Sequence, residues 1–226
     1  MPVRHARALT VAAVLALSFA TAASAQVVLW DQSDWNLNGD GSVNLSSSSC
    51  SQISGNTKAH TACDVHFDNP VHITTVRIYE TLGNVQAATK AYLWIAPKTG
   101  PLPTAASTDV NNAANLKTIT VATETKSGQQ AAVVTCANLS IDLPAGDYWV
   151  SLTPQHSLGL FPYSVHRVIT GGVVGDPTPT IVACTANSSW IYNLAPNKPD
   201  YAIKIEGTLP VPTLQTSWGR VKSIYR

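Results

Sequence analysis

The sequence predicts an all-β fold, a two-sheet antiparallel β-sandwich of jelly-roll type, on three observations. Short runs rich in β-branched and aromatic residues alternate apolar and polar side chains with period two, the pattern of a half-buried strand. The fourteen prolines and thirteen glycines fall mostly between those runs, where they act as turns. No amphipathic helical segment of convincing length interrupts them, and 45% of the 226 residues are apolar, enough to fill a sizeable core.

Taken in order, Ile73 to Tyr79 is dense in β-formers, with Val76 and Ile78 on one face. Ala91 to Ile95 places Leu93 and Ile95 opposite Tyr92 and Trp94. Leu116 to Thr123, Ala131 to Thr135 and Leu139 to Leu143 continue the habit, whereas Ala105 to Leu116 carries several Asn residues and reads as a loop. The turn Pro144-Ala145-Gly146-Asp147 leads into Tyr148 to Thr153, where Tyr148, Val150 and Leu152 share one face and Trp149, Ser151 and Thr153 the other. Tyr201 to Glu206 alternates cleanly and is expected to close the domain at Gly207. One domain over residues 26–208, without an internal repeat or dividing linker, accounts for these strands.

The two ends differ from the body. Residues 1–25 combine Arg4 and Arg7, an apolar stretch from Ala8 to Ala20 and the small-residue site Ala23-Ser24-Ala25, the pattern of a cleaved signal peptide. Removing them leaves a nearly neutral chain with no later stretch apolar enough to span a membrane, so a secreted protein of the extracellular space, cell surface or periplasm is expected. Residues 209–226 form a proline-spaced linker, Leu209-Pro210-Val211-Pro212, and a basic, aromatic tail from Trp218 to Arg226. Pro212-Thr213-Leu214 followed by Trp218-Gly219 resembles the C-terminal sorting tails of secreted bacterial β-sandwich proteins, although Arg220 and Lys222 follow at once, without the hydrophobic span of those tails. The resemblance implies an exported sandwich that ends in a tail and assigns no site residues.

Four cysteines, none in a Cys-x-x-Cys pair, suggest bridges rather than zinc or redox work. Three pairings exist. Cys50–Cys63 would staple a Ser-rich loop, and Cys136–Cys184 would join two strand ends of similar local sequence, so this pairing is expected to stabilise the domain.

Asn36-Leu37-Asn38-Gly39-Asp40-Gly41-Ser42 places oxygen side chains at alternate positions ahead of a glycine bend, and resembles the start of a dockerin or EF-hand calcium loop. The resemblance implies ligation by Asn36, Asn38, Asp40 and the carbonyl of Ser42. With Asn at the first position and Ser47 at the twelfth, affinity falls to about the millimolar range. The alternative is an Asn/Asp/Gly turn between strands. His60, Asp64, His66 and Asp68 form a second cluster. If residues 63–68 are a strand, the last three project from one face while Val65 and Phe67 enter the core. Zinc or copper ligation there would need groups from another element, and a solvated strand face is the alternative.

Charged residues are only 12% of the chain and the formal net charge is +1, which argues against a basic groove for nucleic acid. Gly-x-Ser-x-Gly, Ser-x-x-Lys, His-Glu-x-x-His and phosphate-loop patterns are all missing, and the three glutamates, Glu80, Glu124 and Glu206, lie near strand ends. His156 and His166 stand in no recognisable catalytic context. A non-catalytic structural or interaction role outside the cell is therefore expected. The competing expectation is a carbohydrate-binding module in which Tyr92, Trp94 and Trp149 stack sugars, a role that requires those rings to face water.

Overall fold

The computed structural model describes residues 25–35, 52–53, 57–80, 82, 84–104, 110, 112–126, 128–155, 181–184, 191–192 and 202–210. Their strands are β1 (Val27–Gln32), β2 (Gln52–Ile53), β3 (Thr57–Phe67), β4 (Val71–Glu80), β5 (Lys90–Pro97), β6 (Leu116–Thr118), β7 (Thr120–Lys126), β8 (Gln129–Cys136), β9 (Ile141–Leu143), β10 (Gly146–Gln155), β11 (Ile181–Cys184), β12 (Ile191–Tyr192) and β13 (Ile203–Thr208). All pair antiparallel, in two sheets with a jelly-roll-like strand order. The first runs β1-β13-β4-β8-β7, with β9 also on β4; the second runs β12-β11-β3-β10-β5-β6, with β2 also on β3. The helical turns among the described residues that span more than one position are 3-10 turns at Asn84–Ala87 and Ala113–Asn115. The second is capped by Asn112, whose side chain accepts from the Ala114 N–H at 3.0 Å.

Alternation decides what lies between the sheets. The second sheet contributes Cys63, Val65, Phe67, Ala91, Leu93, Tyr148, Val150 and Leu152; the first contributes Val71, Ile73, Val76, Ile78, Ala132, Val134, Cys136, Ile203 and Ile205. Tyr148 reaches past this layer, its hydroxyl donating to the Pro144 carbonyl at 2.9 Å, and so pins the turn before β10. The segment around Ile119 passes from one sheet to the other. Ile119 is buried between β6 and β7, and its N–H donates to the Thr89 carbonyl at 3.0 Å.

β1 lies on β13 with Val27 opposite Gly207, and β13 ends at Thr208, two residues after the expected run Tyr201 to Glu206. The register of β13 on β4 shifts between Glu206 and Gly207, and a Cβ at Gly207 would meet the His72 carbonyl oxygen and the Leu29 side chain. On the outer face of the first sheet, Trp35, Tyr79, Ala131 and Ala202 make a satellite cluster. The Trp35 indole donates to Glu124 at 3.2 Å.

The expected disulfides are not formed. Cys63 and Cys136 are buried thiols. The reason lies in the pairing of strands. Cys136 sits opposite Val76 in the first sheet, whereas Cys184 sits opposite Ala59 in the second. The buried Cys136 thiol instead points to the Thr118 carbonyl oxygen, 3.9 Å away. The local likeness of Cys136 and Cys184 reflects two strand ends in different sheets. Cys63 is central to β3, while β2 pairs with Thr57 and Lys58, roughly 16 Å away along the strand. Cys50 itself lies outside the described residues, as do residues 1–24 of the expected leader and 211–226 of the tail. The described body is therefore held by its apolar core and not by sulfur bridges.

Two outcomes follow. Gly207→Ala should destabilise the domain by about 1–3 kcal/mol, read as a lowered urea midpoint, because backbone stands where the methyl would go. Burial pushes the Cys136 thiol up to about 11. Iodoacetamide should therefore leave Cys63 and Cys136 unlabelled in the native protein at neutral pH and label both in unreduced, denatured protein, as read by peptide mass mapping.

Candidate functional site

Three groups of chemistry-bearing side chains surround the core, and strand register places each. The outer face of the second sheet is the first. Outward residues of β3, β10 and β5 stand side by side, with Asp64 opposite Trp149, Trp149 opposite Ala96, Ser151 opposite Trp94 and Thr153 opposite Tyr92. The three aromatic residues singled out in the sequence thus share one face. The rings do not face water, however: Trp149 is 1% exposed and Trp94 7%, packed with Ala62, Val110, Ala96 and Leu102. Tyr92 is partly buried. The condition for an exposed stacking platform is therefore unmet by the two indoles.

Several polar groups on this face are buried with partners. His60 Nδ1 lies 3.0 Å from the Thr153 hydroxyl, which lies 3.3 Å from that of Ser151. The His60 ring stands edge-on to Tyr92. Lys98 Nζ donates to Asp64 Oδ2 at 2.9 Å, with the two side chains only 9% and 8% exposed, and lies 5.0 Å from the Trp149 ring centroid. The Lys98 N–H donates to the Asp147 carbonyl at 2.8 Å, which fixes the lysine at the end of β5.

At the exposed end of the same face, His66 bridges two carboxylates, with Nδ1 2.7 Å from Asp147 of β10 and Nε2 3.2 Å from Asp68 in the turn after β3. The hydrogen bond to Asp147 is the largest effect and, with the weaker one to Asp68, raises the imidazole above its ordinary value of 6.5 against the opposing loss of hydration. Of the cluster suggested by the sequence, Val65 and Phe67 do enter the core. His60, Asp64 and His66 each turn to a different partner, and among the described residues no three His, Cys, Asp or Glu side chains are grouped to hold a metal ion. The candidate calcium ligands Asn36, Asn38, Asp40 and Ser42 lie outside the described residues.

The third group, which sequence reasoning missed, lies where β4, β9 and the end of β13 meet. A recess of about 370 Å³ is lined by Pro70, Val71, His72, Asp142, Leu143, Pro144, Thr208 and Pro210. His72 and Asp142 are register partners of β4 and β9, and His72 Nδ1 lies 2.6 Å from Asp142 Oδ1. That contact orients the ring and leaves Nε2 for a ligand. Three prolines, Val71 and Leu143 supply apolar walls, while the imidazole, the exposed carboxylate and the Thr208 hydroxyl supply polar groups. Nothing local marks His72 and Asp142 as a pair, since they are 70 residues apart.

Among the described residues no helix is long and apolar enough to cross a membrane. No family model, curated protein or solved structure matches the chain, so its chemistry is read from its own residues.

The His66 bridge carries a pH dependence. A group whose folded value is raised stabilises fully below its unfolded value, near 6.5, and loses that contribution as pH rises through the folded value. An NMR titration should place the His66 midpoint above 6.5, and Asp147→Asn should lower it. An unshifted midpoint would remove the bridge from solution.

Proposed function

We propose that the chain is an exported, non-catalytic binding domain, akin to secreted bacterial β-sandwich proteins with a C-terminal sorting-like tail, and that its partner is a neutral glycan of a cell surface or extracellular matrix. The observation that carries the reading is the recess around His72. Sugars present hydroxyl groups in the plane of the ring and C–H groups above and below it. A carboxylate, an imidazole nitrogen and a hydroxyl answer the former, and pyrrolidine and aliphatic walls answer the latter. Asp142 disfavours an anionic ligand in the same place. The buried indoles Trp94 and Trp149 play no direct part in contact. The calcium-type loop from Asn36 to Gly41 belongs to this reading as an ion site, checked by calorimetry with calcium.

The test is retention on insoluble polysaccharides followed by calorimetry with the released oligosaccharide. His72→Ala and Asp142→Ala should each weaken binding about tenfold or more, as expected when a charged or oriented hydrogen-bonding group is removed, with unchanged thermal unfolding. Binding that survives both substitutions, or no retention on any neutral glycan, ends the proposal.

A further inference from the structure

The buried pair Lys98–Asp64 has the composition and placement of a covalent modification site. Three features separate it from a surface ion pair. Both side chains are more than nine-tenths buried, with the ammonium donating to the carboxylate at 2.9 Å. Both residues are held by backbone pairing: Asp64 lies within β3 opposite Trp149, and Lys98 follows Pro97, the partner of Tyr148, with its own N–H on the Asp147 carbonyl. The two groups are therefore presented to each other across β10 by a rigid scaffold. Finally, the Trp149 ring that lies 5.0 Å from Lys98 Nζ is 1% exposed, and its indole N–H is buried with no hydrogen-bond partner, leaving an unused donor in the ring beside the pair.

We propose that Lys98 and Asp64 join through an intramolecular amide bond between Nζ and Cγ. Water exclusion disfavours the two charges relative to the neutral amine and carboxylic acid, so the proton on Nζ passes to the Asp64 carboxylate along the existing hydrogen bond. The freed lone pair of Nζ attacks Cγ and the C–N bond forms. The former carboxyl hydroxyl departs with a proton from nitrogen as one water molecule, and the Asp64 carbonyl oxygen remains as the amide acceptor. Atoms balance as ammonium plus carboxylate giving amide plus water, and no oxidant, reductant or external reactant is needed. Holding the reactants in contact supplies the effective concentration that an intermolecular reaction lacks. The product contains no charge, which removes the cost of keeping an ion pair in a dry site. The link would tie β3 to the end of β5 on either side of β10. It is independent of the glycan reading, since the recess around His72 shares none of these residues.

The experiment is mass spectrometry of the purified full chain under reducing conditions, with the actual first residue read from its N-terminal peptide. The expected mass is that of the sequence less one water, and trypsin should yield residues 59–77 joined to residues 91–117, with cleavage after Lys98 blocked. Lys98→Arg keeps the charge and the hydrogen bond but should show the full mass of its sequence and, cleaved after position 98, residues 59–77, 91–98 and 99–117 as three separate peptides. Wild-type protein at full mass, or normal cleavage after Lys98, overturns the proposal. So does a loss of water elsewhere that leaves residues 59–77 unlinked to any peptide containing Lys98.

Discussion

Two inner faces have to interlock across a gap of about 10 Å, and that requirement places everything else. Val65, Phe67, Leu93, Val150 and Leu152 face Ile73, Val76, Ile78, Val134, Ile203 and Ile205. Because side chains alternate along a strand, fixing these positions inward fixes their neighbours outward. Asp64, His66, Asp147 and Trp149 stand where they do because Val65, Phe67, Tyr148 and Val150 are committed to the core. A slip of one residue in β3 would put Asp64 and His66 between the sheets and expel Val65 and Phe67. The outer chemistry is thus positioned by the inner packing.

The second sheet is buried on both sides, but the two sides differ in character. Its inner layer is apolar apart from Thr61. Its outer layer mixes Ala62, Trp94 and Trp149 with His60, Asp64, Ser151 and Thr153, all buried or nearly so. Polar groups in such a place persist because they find partners, here hydroxyl on imidazole and ammonium on carboxylate. The cost of enclosing them makes the arrangement specific: Lys98 has to reach Asp64 past the Trp149 ring, and few side-chain arrangements achieve that. By contrast the recess around His72 remains open to solvent, with Asp142 85% exposed. Enclosed chemistry suits events within the chain, and open chemistry suits a visitor.

How much of this was legible depends on the range of each signal. Alternation is local, so the shared faces of Tyr148, Val150 and Leu152, and of Val76 and Ile78, could be read directly, as could the common face of Tyr92 and Trp94. The same alternation says nothing about a second layer, which is why Trp149 could be assigned to the outer face but not recognised as enclosed. Cys136 and Cys184 misled because sequence context resembles itself at any strand end, whereas sheet membership is a property of the whole topology. His72 with Asp142, and Lys98 with Asp64, are created by register between distant segments. β1 was also missed, its short run Val27 to Gln32 lacking strict alternation.

The antiparallel seating of β1 on β13, Val27 beside Gly207, brings the first and last described strands out at the same end of the sandwich. Force applied between those two ends would act perpendicular to the strands and open their hydrogen bonds one after another, as a zipper opens, instead of loading them together in shear. Tension between the termini would therefore peel the edge strand away early, at low load, while the clamped centre of the sandwich stayed intact.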